Sequence, residues 1–432
     1  MMKSVESPVL FVFILALGIF IGLFLAKNIK AFLATYEGFE SQDPNSDFRS
    51  QRGYKMQLAS VLTRFSGVGG RRLGYESSPD LLKDDENCLV NYYVLGCRIA
   101  GYLGPFQNGY LDPGQAIAIA SQAGCRVFVL DIDYMGKPEN AYPRLVVRDK
   151  QNKSVAEAVS NGSFQQTDRT SNLLDAIVAI KANAVESSMN QSKDPLILVL
   201  NFLRIPGTSA ASNVVLDYYS AVARNLEPLH QYFLHNEPSG TYHRQSQEGK
   251  ILTNPITAFD GKVLLFTNAD TTGFRQAPAG KYTAKEDLDY LVNLRLYYNQ
   301  SKIGVTQPTQ GQVFGIMEKV GDYTVIPSDR KDQIVERLKL QWTLALPNDP
   351  AVSTDQETFT VAKSYGVNCV PIAIWDEAAV NDYIFNAKNG FFRAYSYIPK
   401  PPELRYRKPK AVVPATPSTQ LDSKGGSLRS PV

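Results

Sequence analysis

Four short apolar runs rich in β-branched residues constrain this chain more than any other feature: CRVFVLDI, PLILVLNF, GKVLLFTN and VNCVPIAIW. A continuous apolar run of that length fits a strand covered on both faces, as in a parallel sheet. Helical patterns lie between and around them: PGQAIAIASQAG, SNLLDAIVAIKANAVESS, ASNVVLDYYSAVARNLEPLHQYF and KDQIVERLKLQWTLAL. Strand alternating with helix argues for an α/β fold. Residues 86–405 form one such series, a length that suits a (β/α)8 TIM-like barrel with insertions. A doubly wound open sheet is the runner-up.

With 44% hydrophobic and 11% aromatic residues, the 432-residue chain can bury a core. Its net charge of +3, from 45 basic and 42 acidic residues, is too balanced to draw in nucleic acid, so no nucleic-acid partner is expected. Cys88, Cys97, Cys125 and Cys369 show no CxxC spacing, which disfavours a zinc site. Cys88 and Cys97 could pair; free thiols are the plainer reading. Asn-x-Ser/Thr sequons at Asn152, Asn161, Asn190 and Asn299 do not settle the compartment.

Val9 to Ala26 is unbroken apolar sequence, VLFVFILALGIFIGLFLA. At helical rise it reaches about 27 Å, close to the hydrocarbon thickness of a bilayer. A cleaved signal peptide is the rival reading, but its apolar region is usually shorter and followed by a small-x-small site. Residues 9–26 therefore read as a transmembrane helix, with residues 1–8 as its flank and a lipid membrane as partner. Lys3 precedes the span and Lys27 and Lys30 follow it, so the positive-inside bias puts the body on the cytoplasmic side. Gly18 and Gly22 make a G-x-x-x-G pair through which two anchors could pack as a homodimer; two incidental glycines explain it equally. Residues 27–85 read as a juxtamembrane helix and linker, and 406–432 as a disordered basic, Pro/Ser-rich tail whose RYRKPK could touch acidic lipid.

An ordered series of segments carries a more specific signal. LVNYYVLGCRIAGYL is similar to the first barrel strand of the phosphatidylinositol-specific phospholipases C. GCRVFVLDIDYMGK resembles that family's Gly-Cys-Arg-x-x-Glu-Leu-Asp strand, and AYPRLVVRDKQ its Pro-x-x-x-His-Gly strand. The helix and strand LLDAIVAIKANAVESSMNQSKDPLILVLNF, then GKVLLFTN, then YGVNCVPIAIWDEAAVNDYIFNAKNGFFRAYSYIPKPPELR follow in the family's order. The resemblance covers residues 86–405 and implies a barrel of the PLC-like phosphodiesterase type.

The family's reaction needs two histidines as general base and general acid at the carboxyl end of the barrel. Eukaryotic members add a calcium ion held by an asparagine and carboxylates. Here the histidine positions fall on Ile99 and Val147, the asparagine on Ala100 and the glutamate of Glu-x-Asp on Val129. Asp131 is kept. The glutamate ending PLILVLNF is replaced by Asn201, and the phosphate-binding lysines fall on Phe266 and Asn268. Isoleucine and valine transfer no proton at any pH. The chain's histidines, His230, His235 and His243, sit together far from these strands.

Vestigial site candidates are Asp131, Asp133, Asp149 and Asn201. Asp131 and Asp133 are two apart on one strand and share a face. With a bulge in the strand the two would mimic the family's Glu-x-Asp pair, and Asp131, Asp133 and Asn201 could hold a metal; the plainer reading has Asp131 capping or salt-bridging inside the barrel mouth. No cofactor is expected, and Ca2+ only if the site is active.

Two functions follow. One is a membrane-anchored barrel that has lost its catalytic histidines and binds a phospholipid headgroup or protein partner, or serves a structure. The combination of anchor and degenerate enzyme fold resembles membrane components of large DNA virions. The alternative is an active phosphoric diester hydrolase acting on a phospholipid headgroup through carboxylates.

Overall fold

The computed structural model describes residues 44–66, 74–78, 80–83, 85–98, 103–104, 112–146, 170–187, 193–207, 209, 212–234, 250–298, 315–347, 353–376, 380, 391–392 and 395–408. The chain divides into two units, residues 1–56 and 57–432. The first is described only from residue 44, where helix Pro44–Ser66 begins. Everything below concerns the second.

Its centre is a curled parallel sheet. Strands β1 (Tyr92–Val94), β2 (Gly96–Arg98), β3 (Val127–Met135), β4 (Tyr142–Val146), β5 (Thr170–Asn172) and β6 (Leu196–Phe202) come first. They are followed by β7 (Val263–Thr267), β8 (Leu294–Tyr298), β9 (Gly315–Lys319), β10 (Thr343–Leu346) and β11 (Tyr397–Pro399). The parallel ladder runs β2–β3–β6–β7–β8–β9–β10. Residues 369–372 close it: Leu344 pairs with Cys369, and Cys97 with Ile372, both parallel. Seven parallel strands and this seam segment make the eight staves of a closed barrel. At the seam, a Cβ on Gly96 would lie 2.6 Å from Cys369 Sγ and 2.9 Å from Val127 Cβ, so only glycine lets the last stave approach the first.

Burial on both faces explains the apolar strands: every residue of β6 and β7 is buried. Val127, Val129, Ile197, Val199, Leu264, Phe266, Leu294, Leu296, Met317 and Leu344 fill the interior in one core cluster. Crossover helices flank it. Asp112 caps Pro113–Gln122 by accepting from Gln115 N–H at 3.0 Å, and Asp355 caps Gln356–Tyr365 by accepting from Thr358 N–H at 2.8 Å. Each such cap is worth about 1 kcal/mol. Gly366, at φ 91°, ends the second helix in the left-handed region that suits glycine.

Two local expectations are corrected. KDQIVERLKLQWTLAL is not helical throughout: the helix is Lys331–Leu340, and TLAL is β10, fully buried between β9 and the seam. VNCVPIAIW joins the sheet only at Cys369 and Ile372. Pro371 between them has no N–H to give a ladder.

The amino end of the barrel is covered by β1 paired antiparallel with β11. Under this ribbon Tyr75, Tyr92 and Tyr397 meet edge-on, with ring centroids 6.0–6.4 Å apart. Their hydroxyls donate to Asp260, Asn87 and the Pro195 carbonyl at 2.7, 2.7 and 2.8 Å.

The core reaches back to Tyr75 and Leu82, both inside the stretch read as linker. The apparent tail is also fixed as far as residue 408. Tyr406 packs on the core, its N–H donates to Asn91 Oδ1 at 2.6 Å, and Arg405 and Arg407 both pair with Glu86. These partners lie more than 300 positions away in sequence, so local charge gave no hint of them. All four cysteines are free thiols and buried, so Cys88 and Cys97 do not pair. The apolar segment 9–26, its Gly18 and Gly22, and the four sequons lie outside the described residues. Among the described residues no helix is long and apolar enough to cross a membrane.

Candidate functional site

In a (β/α)8 barrel the carboxyl ends of the strands form the mouth where chemistry is done. Here β3 and β6 run in register, so Asp131 stands opposite Asn201 at their carboxyl ends. Alternation turns both side chains to the interior face, the one Val129 and Val199 occupy a level below. β2 ends beside them at Arg98.

The result is one continuous chain of polar contacts. Arg98 donates from Nε and Nη2 to Asp131 Oδ2, each at 2.9 Å. Asn201 Nδ2 donates to Asp131 Oδ1 at 2.6 Å. Asn268 Nδ2 donates to Asn201 Oδ1 at 3.0 Å and to the Phe202 carbonyl at 2.9 Å, while Phe202 N–H donates to Asn268 Oδ1 at 2.8 Å. Arg98, Asp131, Asn201 and Asn268 are 6%, 5%, 3% and 1% exposed. Buried polar groups are tolerated only when satisfied, and both carboxylate oxygens and both amide ends of this chain are.

Asp133 goes elsewhere. Its Oδ1 accepts from Arg204 Nε at 3.0 Å and from Tyr134 N–H at 2.8 Å. The Arg204 guanidinium also lies 4.6 Å from the Tyr134 ring centroid. Nearby, burial and then the Asp133 charge push the Tyr218 hydroxyl well above its ordinary value. The structure thus joins Asp131 to Asn201 and gives Asp133 a separate arginine. Asp149 and Arg148, with Ile99, Ala100 and Val147, lie outside the described residues. Of the two lysine-equivalent positions, Phe266 packs edge-on against Trp342 at 5.0 Å and Asn268 ends the polar chain. His230 sits in the turn Glu227–Tyr232, just before Phe233 pairs with the start of β7, and so at the amino end of the barrel.

Arg98 was missed, and a signal for it existed. A charged residue at the end of a short apolar strand, one stave from an interior aspartate, has to find a counter-ion.

Two consequences follow for chemistry. Both Asp131 oxygens are already engaged, by Arg98 and by Asn201, whereas a general base needs an oxygen open to the substrate's proton. A calcium ion takes six to eight oxygens. The described mouth offers Asp131, with both oxygens engaged, and Asn201 Oδ1, engaged by Asn268. Among the described residues this donor set does not fit calcium, and Arg98 already places a cation beside Asp131.

No family model and no curated protein matches the chain. Among solved structures it is similar to PLC21 of L. pealei, 16% identical with a TM-score of 0.49, and to PLC21 of S. officinalis, 16% identical with a TM-score of 0.47. Each match covers 78% of this chain and 39% of that one, so the chain spans about two fifths of their length. It is also similar to a calcium-dependent phosphoinositol-specific phospholipase C from a Pseudomonas species, 11% identical with a TM-score of 0.43, covering 76% of this chain and all of that one. The barrel itself is established by the strand ladder and its seam.

Proposed function

We propose that this chain is a phospholipase-C-like barrel without turnover, held at a membrane by residues 9–26 and acting as a binding or structural component there. The buried Arg98–Asp131 pair carries this reading. The one aspartate kept from the resembled motif is tied to an arginine on one oxygen and to Asn201 on the other. The histidine positions of that motif hold Ile99 and Val147, which supports the same conclusion from the sequence. A phospholipid headgroup or a protein is the partner such an anchored barrel suits, and a virion membrane is one setting for it. The body faces the cytoplasmic side by the charge bias of Lys27 and Lys30 over Lys3. Calcium has no part in this role.

The test is turnover by the full chain reconstituted in vesicles containing phosphatidylinositol, with and without calcium. No phosphorylated headgroup should be released. Release that disappears in Asp131→Ala overturns the proposal in favour of a carboxylate-based phosphodiesterase.

A further inference from the structure

Lys400 follows β11 and is fully buried, and its Nζ has no hydrogen-bond partner. A Cβ on Gly366 would stand 3.7 Å from Nζ, so the amine lies against the turn that ends helix Gln356–Tyr365. The Tyr93 ring centroid is 6.0 Å away.

The titratable groups around it offer no counter-charge. Burial pushes the Cys88 thiol up to about 12, so it is neutral near pH 7. Burial likewise raises the Tyr93 hydroxyl, and Glu403 adds to that rise. Glu86 is taken by Arg405 and Arg407. Lys363, on the neighbouring helix, is itself a cation, lying 4.1 Å from the Phe391 ring centroid. An ammonium out of water needs a partner, and burial brings the Lys400 amine down to about 7.

The same residue is a joint in the strap that closes the amino end of the barrel. Lys400 N–H donates to the Asn91 carbonyl at 2.8 Å, and its own carbonyl accepts from Arg405 Nε. Asn91 then grips Tyr406 twice, through Nδ2 to the Tyr406 carbonyl at 2.8 Å and Oδ1 from the Tyr406 N–H at 2.6 Å. We propose that Lys400 is held in the closed strap as a neutral amine, and that its protonation loosens residues 397–408 from the barrel.

The sign follows from linkage. An opened strap returns Lys400 to its ordinary value near 10.5. Between that value and about 7, the open form holds a proton that the closed form lacks. Opening is therefore favoured about tenfold for each unit the pH falls in this window, and levels off below it.

Amide hydrogen exchange of the full chain between pH 7 and 9.5, corrected for the intrinsic rate, tests this. Protection of residues 397–408 should rise about tenfold per pH unit, while residues 196–202 of the core show no such slope. Lys400→Met should flatten the slope and raise strap protection at pH 7. A flat wild-type profile, or the same slope in Lys400→Met, overturns the proposal. If Lys400→Met does not fold, the wild-type slope, present or absent, decides.

Discussion

At the carboxyl end of the barrel the interior closes with a chain of charged and amide groups. At the amino end it closes with three tyrosine rings. Both are buried, but their energetics differ. The tyrosines gain from apolar burial and edge-on ring contacts worth about 0.5–1.5 kcal/mol each, and every hydroxyl finds an acceptor. The arginine and aspartate lose hydration and recover it through each other and through Asn201, so as a pair they add little stability. A catalytic barrel keeps its carboxyl end polar so that substrate can meet unsatisfied groups. Here the polarity remains while the groups satisfy one another. The comparison teaches that a buried polar cluster can be satisfied entirely from within, at one end by a charge pair and amides, at the other by hydroxyls on carboxylate, amide and carbonyl oxygens.

Several substitutions break or sharpen this contrast. The largest effect should come from Arg98→Ala, which leaves Asp131 buried and uncompensated. It should cost about 3–5 kcal/mol in urea denaturation. Replacing the pair together, Arg98→Met with Asp131→Leu, should restore most of that loss. A double variant as unstable as the single would show that the ion pair itself contributes strongly.

At the other end, Tyr92→Leu should cost about 2 kcal/mol by removing two ring contacts and the partner of Asn87. Tyr397→Phe keeps the ring and loses the bond to Pro195; about 1 kcal/mol is expected in the same assay. Lys285→Ala, which removes an exposed pair with Glu227 remote from both ends, should leave the midpoint unmoved. If it shifts as far as Tyr397→Phe, the ranking by burial is wrong.

The strands were legible because burial on both faces writes itself into the sequence as unbroken apolar runs. Asp131 and Asn201 stand out through the resemblance, as the positions of its Glu-x-Asp aspartate and its strand-ending glutamate. What could not be read was register across the ladder. Whether Asp133 joins Asp131 or turns to Arg204 depends on how β3 leaves the barrel to pair with β4, which no local pattern encodes. The seam was obscured by Pro371, which splits the last apolar run into two isolated pairings. Only the end of the strap, residues 406–408, reads as tail in the sequence, because its charges look solvated in isolation while Glu86, which Arg405 and Arg407 share, stands 319 residues from Arg405.

The most direct test of the mouth is a calorimetric titration of calcium into the full chain, with Asp131→Asn alongside. With Arg98 already serving as the cation, no saturable heat should appear at millimolar calcium in either protein. Stoichiometric binding by the wild type that Asp131→Asn abolishes would contradict the account.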